Sequence, residues 1–229
     1  MSGNSSMFEP IDRARFLNLA GLVEMTVVLL ALGLGWLAGI DPLETLEWDW
    51  LALLAGIVVT VPMFGLFLLS MRFPVGPLLP IKRFLIEILG PSLAVCRWYD
   101  LVLLAILAGF SEELLFRGLL QPWFARGGYL SGLVGSNLLF GLAHCITPMY
   151  AAIAALVGAY LGLSLDATGE PNLLVPIIAH GLYDYLAFLV VARSFRADLP
   201  ADSDAGSAEV DGTTKQYSED DDEQPSRVP

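Results

Sequence analysis

GFSEELLFRGLL, residues 109–120, places two adjacent carboxylates, Glu112 and Glu113, and one guanidinium, Arg117, inside a run of Leu, Phe and Gly that reads as membrane-embedded helix. Ionisable groups in hydrocarbon are costly and therefore rare, and where they occur they generally mark function. Working outward, FGLAH (140–144) and HGLYD (180–184) bring His144, His180 and Asp184 into two further apolar runs. The chain has only two histidines and both fall in this set, so random scatter of polar residues is a poor account of it.

The surrounding composition fixes the solvent. Of 229 residues 55% are hydrophobic and 16% charged, with a mean hydropathy of +0.65, which excludes an ordinary soluble domain. Apolar runs near 16–40, 50–71, 101–120, 130–147, 150–166 and 172–192 each approach the roughly 20 residues needed to cross a bilayer as helix. The first is too long for the apolar region of a signal peptide and reads as a retained span. A shorter stretch, 84–96, holds Glu87 and Gly90-Pro91, and reads equally as a seventh crossing, a re-entrant element or an interfacial helix. The expected fold is all-α, a polytopic transmembrane bundle of six or seven spans.

Arg13 and Arg15 precede the first span, four acids (Asp41, Glu44, Glu47, Asp49) lie between the first and second, and Arg72, Lys82 and Arg83 follow the second. The positive-inside rule then puts the N-terminus in the cytoplasm of a plasma (inner) membrane. Six spans return Arg193 and Arg196 to the same side; seven do not. The net charge of −12 is mostly tail, because residues 198–229 hold ten Asp/Glu against two Lys/Arg. Such a segment cannot bury enough apolar surface to order itself. The organisation expected is therefore 1–99, N-terminal spans with the ambiguous segment; 100–192, the chemistry-bearing helices; and 193–229, a disordered acidic tail.

Small residues at helix-packing spacing, Gly128/Gly132, Ser131/Gly135 and Gly158/Gly162, predict close backbone contacts. Cys96 and Cys145 form no CxxC pair and read as packed thiols. No basic aromatic patch or phosphate loop points to nucleic acid. The partners expected are the lipid bilayer and a peptide or protein substrate within it.

Glu113 and Arg117, four residues apart, share a helical face, whereas Glu112 diverges from Glu113 by about 100°. The Arg compensates one acid and leaves the other free. Phe140 with His144, and His180 with Asp184, likewise occupy single stripes. A free carboxylate, two imidazoles and a further acid around one cavity can activate water and stabilise an oxyanion.

EELLFR, FGLAH and HGLYD resemble, in order, the EExxxR, FxxxH and HxxxN/D motifs of the CPBP (CAAX protease and bacteriocin-processing, or ABI) family of intramembrane proteases. The resemblance covers roughly residues 100–192. It implies a membrane-embedded peptidase with Glu112 and His144 as the water-activating pair, His180 and Asp184 near the oxyanion, and Glu113, Arg117 and Phe140 as supporting residues. It also implies a substrate that is prenylated in the CAAX-processing members. Those members commonly carry Asn where Asp184 stands; Asn donates a hydrogen bond directly and Asp only when protonated, so orientation of His180 is a competing role for Asp184.

Three other readings stand beside this one. Two His and a carboxylate can hold a catalytic divalent metal such as zinc, with Glu112, His144 and His180 as ligands, although no HExxH spacing is present. A proton-coupled transporter would need polar residues along many helices, yet the first two spans hold only Glu24, read as lying near headgroups. A non-catalytic scaffold or immunity-type protein of the same fold would use the cluster only to hold helices together.

Overall fold

A computed structural model describes residues 12–199, and seven helices lie among them. They are α1 (Arg13–Ala38), α2 (Trp50–Arg72), α3 (78–94), α4 (98–125), α5 (Tyr129–Ala143), α6 (Pro148–Ser164) and α7 (Leu174–Asp198). The described residues contain no strand, so the all-α expectation holds. α7 continues to Asp198, past the boundary expected at residue 193. The acidic segment from residue 200 onward lies outside the described residues.

Local chemistry sets the helix limits. Asp49 caps α2 by accepting from the amides of Leu51 and Ala52 at 3.2 and 3.1 Å. Thr147 caps α6 through the Tyr150 amide, with Pro148 preset in the first turn, and Asn172 caps α7 through the Leu174 amide. Such caps satisfy amides that have no partner within the helix. α3 and α4 each contain a wide π-helical turn, Leu85–Leu89 and Leu114–Leu120. Each turn runs up to a proline, Pro91 or Pro122. A proline lacks the N–H that would bond four residues back and its ring crowds that carbonyl, so the preceding turn widens.

Contacts at the helix ends fix the direction of every element. Arg13 at the start of α1 pairs with Asp100 at the start of α4 (2.5 Å), and Arg126 beyond α4 donates to the carbonyl of Ala38 at the end of α1. α1 and α4 are therefore parallel neighbours. α2 and α7 are also parallel: Ala52 packs on Leu174 and Val175, Thr60 reaches the Ala179 carbonyl, and the Phe67 ring meets Tyr183. α5 descends against α4, with Gly132 beside Gln121 and Ala125, and α6 climbs back, with Gly162 beside Gln121.

α3 starts and ends at one face of the bundle. Lys82 near its start donates to the carbonyl of Met71 at the end of α2, and Arg196 near the end of α7 donates to the carbonyl of Ala94 at its finish. Segment 84–96 therefore leaves and returns to the same face instead of crossing. Arg13, Arg72, Lys82, Arg83, Arg97, Arg193 and Arg196 all lie at or beside these ends, on one face. Asp41, Glu44, Glu47 and Asp49 lie at the other. α5 and α6 form a short apolar hairpin. At 15 and 17 residues they rise about 22 and 25 Å, and their turn stops beside the middle of α4. α1, α2 and α7 are each long and apolar enough to span a membrane. The chain is an integral membrane protein.

Candidate active site

α4 and α7 touch backbone to backbone where glycines face each other. A Cβ added to Gly109 would lie 2.7 Å from the Gly181 nitrogen and 2.8 Å from its Cα, so only glycine fits this crossing. Four residues beyond Gly109 stands Glu113, and beside Gly181 stands His180. Their side chains meet, with His180 Nδ1 2.7 Å from Glu113 Oε1.

The same Glu113 oxygen accepts from Arg117 Nη1 at 2.9 Å, both side chains being fully buried. Arg117 Nη2 continues to Asn137 Oδ1 on α5 (3.0 Å) and to the carbonyl of Gly158 on α6 (2.6 Å). Its guanidinium also lies 4.8 Å from the centre of the Phe140 ring, a favourable cation–π placement. One arginine thus joins three helices. Gly158 is required for it, since a Cβ there would sit 2.6 Å from Asn137 Oδ1. The pairing of Glu113 with Arg117 expected from their spacing is present; Asn137 and Gly158 extend it.

Glu112 turns the other way, as its spacing predicts. Its Oε2 lies 3.5 Å from His144 Nε2, and this buried oxygen has no hydrogen-bond partner among the described residues. His144 Nδ1 is 2.9 Å from the carbonyl of Phe140. With the ring proton donated there, Nε2 carries the lone pair and presents it toward Glu112. The Phe140 ring stacks on His144 at 4.4 Å and 25°, and also contacts His180 edgewise at 6.0 Å. Phe140 therefore sets the planes of both imidazoles. His180 Nε2 faces Asp184 Oδ2 at 3.6 Å, too long for a hydrogen bond.

All seven expected residues come together, in two linked pairs of unequal character. Glu112 and His144 form one pair, while His180 is engaged by Glu113 and directed at Asp184. Three placements differ from expectation. Glu24 is not at the headgroups: it accepts a hydrogen bond from Ser111, the residue preceding Glu112. Cys145 is exposed at the α5–α6 turn, whereas Cys96 is packed as expected. Asn137 belongs to the site, and its position three residues before Phe140 on the His144 stripe was the available signal.

Asp184 opens onto an apolar cavity of about 810 Å³ between α2, α3, α6 and α7, lined by residues such as Phe67, Leu85, Ile153, Val157 and Phe188. This lies within the usual size range of ligand pockets, about 300–1,000 Å³.

Residues 94–186, which hold all three motifs, match the family described as type II CAAX prenyl endopeptidase Rce1-like, in agreement with the CPBP resemblance. No curated protein and no solved structure matches the chain. The matched segment runs from the end of α3 through α4, α5 and α6 into α7.

Proposed function

We propose that the protein is an intramembrane endopeptidase in which Glu112 and His144 activate a water molecule for attack on a peptide carbonyl. The observation that carries this is the buried, unpartnered Oε2 of Glu112, facing the lone pair of His144 Nε2. A buried acceptor left without a donor is costly, and a water donating to both atoms would satisfy it. Drawing its protons toward the carboxylate and the imidazole makes its oxygen nucleophilic. Attack forms the C–O bond and moves the carbonyl electrons to oxygen. The proton taken from water then passes to the leaving nitrogen as the C–N bond breaks.

His180, held at Nδ1 by Glu113, offers Nε2 to that oxyanion, and Asp184, 3.6 Å from the same nitrogen and not bonded to it, supports the ring's charge as it donates. The apolar cavity beginning at Asp184 suits a lipidated peptide, with the chain in the cavity and the scissile bond at Glu112; prenylated C-terminal peptides are the substrate class proposed. The single cationic face supports a cytoplasmic N-terminus and residence in a plasma membrane.

Zinc held by Glu112, His144 and His180 is not part of the proposal. Among the described residues no three His, Cys, Asp or Glu side chains group as a ligand set. A purely structural role explains the Glu113–Arg117–Asn137 network but not Glu112, which ties no helices together.

The test is cleavage of a lipidated reporter peptide by purified protein in bilayers. Glu112→Ala and His144→Ala should each abolish cleavage while membrane insertion stays at the parent level. If either variant cleaves like the parent, the water-activating pair is misassigned.

A further inference from the structure

We propose that the cleft between the start of α4 and the end of α7 is a binding site for the headgroup of an anionic phospholipid. The cleft has a volume of about 460 Å³, and Arg97, Arg193 and Arg196 line it together with Trp98, Leu101 and Leu189. Three arginines, two on α7 and one immediately before α4, therefore border one space. An exposed cationic face is expected of any such membrane protein, so the arrangement within the face carries the argument.

The only carboxylate lining the start of α4, Asp100, is already neutralised by Arg13 and bonded to the Arg97 amide. Among the described residues none of the three arginines forms an ion pair. Arg196 is fixed across the cleft by its bond to the Ala94 carbonyl (2.5 Å), and Arg97 lies over the Tyr99 ring at 5.8 Å while donating to its hydroxyl. Two of the three cations are thus held in place at little further entropic cost on binding. The positive end of the 28-residue helix α4 points at the same space, which favours an anion.

The lining changes character along its depth, and that selects a lipid over a free anion. Arginines and the exposed Trp98 form the rim at headgroup level, where indole rings settle. Leu101 and Leu189, each one helical turn further into the bundle than Arg97 and Arg193, supply the apolar part of the lining. Basic pockets of this build between transmembrane helices recognise phosphate-bearing headgroups. The site lies at the opposite side of α7 from the apolar cavity, so it does not depend on the proposed protease activity.

The test is native mass spectrometry of the full-length, delipidated protein titrated with phosphatidylglycerol or phosphatidylcholine of the same acyl chains. The parent should retain one phosphatidylglycerol with at least about tenfold preference, which corresponds to ~1.4 kcal/mol. R97Q/R193Q/R196Q should lose the preference while keeping the parent melting temperature. R72Q/R83Q, which removes two cations from the same face outside the cleft, should keep it. Equal retention of both lipids, equal loss in the two variants, or full displacement by millimolar inorganic phosphate would overturn the assignment.

Discussion

Gly109→Ala probes the contact on which the site is built. The new Cβ would meet the Gly181 backbone at 2.7 and 2.8 Å and the Ile177 carbonyl at 3.2 Å, whereas ordinary contact begins near 3.4 Å. Backbone cannot rotate away, so α4 and α7 must separate by about 0.7 Å or more, with an overpacking cost of about 1–3 kcal/mol. That displacement stretches the 2.7 Å contact between His180 and Glu113 and moves the imidazole relative to Glu112. Misplacement of about 1 Å typically lowers a rate by about 10²-fold, so cleavage should fall by roughly that factor. Gly181→Ala is the matched control: its Cβ meets only the Ala105 carbonyl, at 3.2 Å, and a loss of less than about tenfold is expected. Peptide cleavage measured beside thermal unfolding in the same detergent separates the two effects. Equal activity in Gly109→Ala and the parent would refute the claim that this crossing positions the catalytic groups.

Arg117→Met should destabilise by about 3–5 kcal/mol, because Glu113 would be left buried without its cation; a melting temperature within a degree of the parent would count against the network. Asp184→Asn should retain most activity if the residue serves to orient His180, since the amide can donate to or accept from the ring; complete loss, read in the cleavage assay, would show that the negative charge itself is needed. Chelation with EDTA, with metal analysis of the purified protein, should leave the cleavage rate unchanged, and a loss restored by zinc would reverse the metal-free reading.

The polar positions of the site were legible because each is anomalous where it stands: an acid or imidazole in a run of Leu, Ala and Phe announces itself. The i,i+4 rule also separated Glu112 from Glu113, since the π-helical turn begins only at Leu114 and leaves their divergence intact. Contacts between distant segments were not legible. Ser111 and Glu24 are 87 residues apart, and nothing local in α1 tells whether Glu24 faces lipid or protein. The path of 84–96 was equally closed, because composition gives its hydropathy but only Lys82 on Met71 and Arg196 on Ala94 reveal that both its ends share one face. Asn137 passed unnoticed because one amide in an apolar run is tolerable, and its value lies in Arg117 arriving from another helix.

The abbreviated α5–α6 hairpin carries a mechanical consequence. Helices rising about 22 and 25 Å fall short of a hydrocarbon layer about 30 Å thick, and lipid beside that sector must compress to match them. The dimple would bring bulk water toward the exposed Cys145 and, behind it, Glu112.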